Sequence, residues 1–159
     1  DLKTLYEAQG FESVTTYIQS GNVIFESKGL NKEDLKKTIE KAIKEKYTFH
    51  VQVNIRTNKE LKGIVDNCPY KEAKVEGNGT KILVTFLQST PSNQKQEILL
   101  GYVKSPERLT IQGNEVYLYC PNGYGKSKLS NTFLENKLGI SATTRNWKSV
   151  KKLYELSMN

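Results

Sequence analysis

The residues best placed to do chemistry lie late in the chain. Gly123-Tyr124-Gly125-Lys126-Ser127 stands between a segment of strand character and one of helix character. Such a loop imitates a phosphate-binding turn, in which backbone N–H groups and a helix N-terminus receive the phosphate and a lysine adds charge. The full nucleotide-loop pattern requires a glycine at position 120, where Cys120 stands, and the preceding strand belongs to a hairpin. No apolar strand ends in the aspartate that would hold Mg²⁺. The motif therefore points to an anion site built from Gly123, Gly125, Lys126, Ser127 and Lys128, not to a nucleotide hydrolase. The plainer alternative, a glycine-rich connection with Ser127 capping the helix, is the favoured reading of the motif taken alone.

Arg145-Asn146-Trp147-Lys148 is the second constellation. An arginine at a strand end beside a helix start suits a carboxylate or phosphate. If the fold brings 126–128 near Arg145, Asn146 and Lys148, several cations converge. Otherwise Trp147 is core, Asn146 a cap and Arg145 an ion-pair partner. Gln19, Ser20 and Asn22 form a polar hairpin tip, which tight turns want anyway; ligand contact there is the lesser reading.

Conventional catalysis has little to work with. His50 is the only histidine, so a histidine-dependent triad or a His-rich metal site is not expected. Cys68 and Cys120 make no disulfide scaffold and fit a reducing compartment. Neither has a neighbouring histidine in sequence to activate it. No paired carboxylates or metal-ligand spacing stand out, so no cofactor or metal is expected and enzymatic activity is left open.

The 159 residues carry a net charge of +7, unevenly placed. Residues 1–79 hold 13 Lys+Arg and 12 Asp+Glu, whereas 80–159 hold 11 and 5. Between 123 and 152 seven cations face only Glu135. The second half can therefore attract anions. No apolar run reaches the roughly 18 residues of a membrane span, no signal peptide is expected at the start, and the cytoplasm is the expected location.

The elements that must position these residues follow from periodicity. Residues 2–9 read as a helix stopped by Gly10, and 14–18 with 22–26 as a hairpin. Asn31 caps a helix over 32–46 with Leu35, Ile39 and Ile43 on one face. HVQVNIR (50–56) alternates as a strand, and Leu61, Ile64 and Val65 mark a short helix. ILVTFL (82–87) is a buried strand, 92–103 a helix, and RLTIQ (108–112) with EVYLYC (115–120) a second hairpin about Gly113-Asn114. Residues 128–138 form a helix with Leu129, Phe133 and Leu138 inward. Residues 140–144 form a strand, and a final helix follows Asn146.

The two halves share this order, except that the first lacks an opening strand. IQSGNVIF (18–25) matches IQGNEVYL (111–118), and RTNKELKGI (56–64) aligns with RNWKSVKKL (145–153). The expected fold is α+β: a tandem duplication of two ferredoxin-like βαββαβ-type units, spanning 1–73 and 74–159.

TYIQSGNVIF (16–25), PNGYGKSKLSNTFLENKLG (121–139) and ATTRNWKSVKKL (142–153) closely resemble the bacterial domain-of-unknown-function family numbered sixteen ninety-seven. The resemblance spans essentially the whole chain and implies the same tandem α+β duplication. It implies no established activity. Family members open on an apolar strand and a loop of the type LLRGINVGG, which this sequence lacks. Without that central strand, unpaired edges and an opened core are expected in the first half.

Three functions remain open at this stage. The preferred one is a binding module for an anionic partner, either nucleic acid or a phosphate-bearing small molecule. The second is an enzyme with a site between the repeats, and the third a protein-interaction or structural domain. Tyr17, Tyr117 and Tyr119 offer a base-stacking sheet face if they are exposed. The oligomeric state is not written in the sequence.

Overall fold

The computed structural model describes residues 1–17 and 21–158. The chain is α+β and divides into two compact units. One comprises 1–58 with 153–159, the other 59–152.

The first unit opens with α1 (Leu2–Ala8), whose first turn is capped by the Asp1 carboxylate accepting from Thr4 N. The hairpin β1 (Glu12–Tyr17) and β2 (Asn22–Glu26) follows. A register shift between Glu12 and Thr15 accompanies the positive φ of Ser13, and the next residue, Val14, is buried. Then comes α2 (Lys32–Tyr47), capped by Asn31 Oδ1 accepting from Asp34 N at 2.8 Å. Ile39 and Ile43 bury one face of α2 against Tyr6, Phe11 and Val14. Phe25 stacks on Phe11 with ring centres 4.7 Å apart.

The expected strand over 50–56 is corrected here: among the described residues the segment belongs to no sheet. Its alternation is nevertheless real, because Val51, Val53 and Ile55 all pack on the core of the unit. The Val53 amide donates to Glu40 Oε2 of α2 at 2.8 Å instead of to a neighbouring strand. Alternation reports which side chains turn inward, whereas a ladder also needs a partner backbone. The sheet of this unit has two strands among the described residues.

The second unit begins with α3 (Asn58–Asp66), bar its first residue. It continues through β3 (Ile82–Leu87), α4 (Asn93–Leu100), β4 (Arg108–Gln112), β5 (Glu115–Tyr119), α5 (Asn131–Leu138) and β6 (Ala142–Asn146). The chain ends in α6 (Trp147–Ser157). The sheet order is β4-β5-β3-β6, with every neighbouring pair antiparallel. β3 is buried at all six positions, as its unbroken apolar run requires of a central strand covered on both faces.

On one face Leu83, Leu87, Leu109, Val116 and Leu118 pack with Leu99 of α4 and with Leu134 and Leu138 of α5. On the other face lies Tyr117, 1% exposed. Its hydroxyl donates to Ile64 O of α3 at 2.7 Å, and its own carbonyl accepts from Tyr70 Oη at 3.0 Å. The repeat boundary read from sequence and the boundary between compact units describe different things. The first counts similar segments along the chain, whereas the second records where each segment packs, and α3 packs with the second unit.

Candidate functional site

The β5–α5 connection carries the phosphate-loop imitation. Gly123 sits at φ 101°, open to glycine and strained for other residues, and starts a single 3₁₀ turn over Tyr124–Lys126. The loop satisfies many of its own donors. Gly123 N donates to Cys120 O, Lys126 N to Gly123 O, and Ser127 N to Tyr124 O. Leu129 N donates to Ser127 Oγ. Those amides are turned inward on the chain. The helix α5 begins later than periodicity indicated: Ser130, not Ser127, caps it, with Oγ accepting from Phe133 N at 3.2 Å. Gly125 and Lys126 are exposed.

Strand alternation separates the two cationic constellations. Thr144 faces α5, where its hydroxyl donates to Asn131 Oδ1 at 2.8 Å. Its neighbour Arg145 therefore faces the opposite side of the sheet. The Arg145 guanidinium donates to Thr143 Oγ1 at 2.6 Å and to Thr144 O at 3.0 Å, and burial holds its pKa below the usual arginine range. Asn146 Oδ1 accepts from Ser149 N at 2.9 Å, capping α6. Lys148 is exposed, but its backbone abuts Gly79, whose carbonyl accepts from Lys148 N. A Cβ on Gly79 would meet the Lys148 side chain at 3.1 Å, which accounts for glycine there. Arg145 and Asn146 both make local hydrogen bonds, and Arg145 points away from the face that carries Lys128.

Asn22 is buried, and its amide donates to Tyr17 O at 3.1 Å across the hairpin. Gln19 and Ser20 lie outside the described residues. Of the three tyrosines read as a stacking face, Tyr117 is buried, the Arg108 guanidinium covers the Tyr119 ring at 4.4 Å, and Tyr17 is half-buried on the hairpin of the other unit.

The structure does assemble one cationic site, on the outer side of the α4–α5 layer. Tyr102, just past α4, meets Phe133 of α5 edge to face, with ring centres 5.3 Å apart and planes at 85°. Lys128 Nζ lies 4.9 Å from the Tyr102 ring centre and 5.5 Å from that of Phe133. Lys137 Nζ lies 4.5 Å and 5.5 Å from the same two centres and donates to Tyr102 Oη at 3.1 Å. Nearby, Lys95 Nζ lies 2.5 Å from where a Cβ on Gly139 would stand, at the C-terminal end of α5, where carbonyl dipoles favour a cation.

None of these three lysines has an ion pair among the described residues. The carboxylate of Glu135 is engaged elsewhere, accepting from Ala142 N at 2.8 Å. The hydrogen bond and charge of Lys137 hold the Tyr102 pKa below the ordinary tyrosine value. Of this site, sequence reading names only Lys128. Phe133 and Lys137 are i and i+4 on α5 and so share a face. That spacing is the one local signal for the site; the meeting of Tyr102 with Phe133 comes from the packing of α4 on α5.

The chemistry of the cysteines is quiet. Burial pushes the Cys120 thiol up to about 11 and raises that of Cys68, so both favour the thiol form. His50 is exposed. Among the described residues no group of three His, Cys, Asp or Glu is positioned to hold a metal ion. No described helix is long and apolar enough to cross a membrane.

This combination of an α+β fold and a surface cationic site gives way to a clear family placement. Residues 1–117 match the family described as Protein of unknown function (DUF1697), and the chain belongs to that family. It is also similar in structure to the conserved bacterial protein SP0830 from Streptococcus pneumoniae. That likeness has a TM-score of 0.74 at 18% identity and covers 98% of this chain and 86% of that one, and it is one of fold. No curated protein matches the chain.

Proposed function

We propose that this protein is a binding module for a polyanionic partner, which docks on the outer side of the α4–α5 layer. One observation carries the reading: the ammonium groups of Lys128 and Lys137 converge on the same two aromatic rings without a carboxylate partner. Lys126, exposed in the adjoining loop, and Lys95, at the end of α5, extend the positive surface.

The shape of the surface favours a polymer over a small ligand. Small molecules are held in concave sites. Two hollows in the molecule carry carboxylates, which repel phosphate. One, of about 120 Å³, is lined by Glu12 and Glu26, with Lys28 paired to Glu12. The other, of about 320 Å³, is lined by Glu60 and Glu115. The lysine–aromatic site belongs to neither.

We also read the chain as a tandem duplication of ferredoxin-like units. The β-α-β-β-α-β order of the second unit and its sheet order β4-β5-β3-β6 support this, as does the α1-β1-β2-α2-(50–56) order of the first.

The test is a fluorescence anisotropy titration with labelled RNA and DNA oligonucleotides at low and near-physiological salt. Binding is expected to be saturable and to weaken steeply with salt. A Lys128→Ala/Lys137→Ala variant is expected to lower the slope of log K against log[salt] by about 2, one for each phosphate that the variant leaves unneutralised. Absence of saturable binding at low salt overturns the reading.

A further inference from the structure

We infer that the polyanion is single-stranded nucleic acid, with an unpaired base stacked on Tyr102 and phosphates held by Lys128, Lys137 and Lys95. The inference rests on the polyanion reading above and names the ligand of that same surface. Non-specific recognition of single strands needs two things together, a cationic track for the backbone and an aromatic face for the bases. The α4–α5 surface has both within one cluster.

Tyr102 is already ordered for the task. Phe133 meets it edge to face at 5.3 Å, and Lys137 fixes its hydroxyl at 3.1 Å. Little side-chain freedom is then lost on binding, which is the advantage of a preorganised site. The two ammoniums resting against the ring, at 4.5 and 4.9 Å, have no carboxylate to hold them. As a strand arrives they move from ring to phosphate, and a base takes the vacated face. Each cation–ring contact is replaced by a charge-assisted hydrogen bond, and the ring keeps a stacked partner.

A duplex offers only its backbone here, because its bases are stacked internally and do not reach a ring. Tyr117 is buried, and the guanidinium over the Tyr119 ring is held there by its ion pair with Glu72, which the lysines over Tyr102 lack.

The experiment compares, on the full chain at one low salt concentration, labelled oligothymidylate, a duplex of matched length and inorganic polyphosphate of matched charge. The single strand is expected to bind at least about tenfold more tightly than the other two. Tyr102→Ala is expected to lose about tenfold or more for the single strand while leaving polyphosphate affinity nearly unchanged. Tyr102→Phe, which keeps the ring, should retain single-strand binding and guards against a folding artefact. Equal affinity for all three polyanions, or a Tyr102→Ala variant that binds the single strand like the parent, overturns the inference and leaves the polyanion reading standing. No binding of any polyanion at low salt overturns both.

Discussion

Lys137 Nζ donates to Tyr102 Oη at 3.1 Å while lying 4.5 Å from the centre of the same ring. The pair joins α5 to the segment that follows α4, so it is both a tertiary tie and an electrostatic couple. The ammonium stabilises the phenolate, which lowers the pKa of Tyr102. In contrast, burial raises the pKa values of Tyr6 and Tyr70 to about 12 and pushes that of Tyr117 higher still. Lys137→Met is expected to raise the Tyr102 pKa toward the ordinary value. Near-ultraviolet difference absorbance against pH, with Tyr102→Phe supplying the blank, reads it directly. An unchanged pKa in the methionine variant would break the proposed coupling.

A buried hydroxyl chain ties the sheet to α5. Thr85, fully buried, has Oγ1 2.7 Å from that of Thr144, and Thr144 donates to Asn131 Oδ1. Asn131 Nδ2 in turn donates to Ala142 O at 3.0 Å. Thr144→Val removes the hydroxyl beside Thr85 Oγ1 at a site closed to water, at a cost of about 1–3 kcal/mol. The double variant Thr85→Val/Thr144→Val removes both threonine hydroxyls and should recover the share due to Thr85, while Asn131 Oδ1 still lacks its donor. Urea unfolding checks both: the midpoint should fall for the single variant and return part of the way for the double, with the slope unchanged.

How much of this is legible in the sequence depends on whether a feature is local. Asn31 and the Leu35–Ile39–Ile43 spacing locate α2, and the unbroken ILVTFL run locates the buried central strand. Periodicity starts α5 three residues early, because Leu129 extends the apolar period while Ser127 and Ser130 are both competent caps. Alternation over 50–56 tells which side chains turn inward but not whether a backbone lies alongside, since pairing belongs to two segments. The same period of two places Arg145 on the face opposite Thr144, away from Lys128, so that separation is readable. Tyr102 is not, because only the packing of α4 on α5 brings it to Phe133.

Gly139 ends α5 at φ 68°, a left-handed position where a side chain costs roughly 1 kcal/mol. A Cβ there would also stand 2.5 Å from Lys95 Nζ, so the flexible lysine must swing aside. Gly139→Ala is expected to lower the melting temperature by a few degrees, about 1 kcal/mol of stability. Gly139→Asn should lose less, since asparagine tolerates this conformation better. If alanine matched the parent in calorimetry, neither the backbone strain nor the Lys95 contact would be costing anything.

Glu40 replaces a strand partner for the segment it faces. Its Oε2 accepts from Val53 N at 2.8 Å, and Lys36 Nζ lies 3.8 Å from the same oxygen, one helical turn away. Val51, Val53 and Ile55 supply apolar attachment to the core, but the Glu40 carboxylate supplies a directional bond to the backbone. Glu40→Ala removes that charged acceptor, a loss of about 1–3 kcal/mol. Local opening of 50–56 should therefore become easier, and hydrogen exchange at Val53 should accelerate by roughly 5- to 150-fold. Amides within α2 should keep their protection. Glu40→Gln retains an acceptor oxygen without the charge, so its Val53 exchange should fall between the two. If Val53 exchanges at the parental rate in Glu40→Ala, apolar packing alone holds the segment and the carboxylate contributes nothing to it.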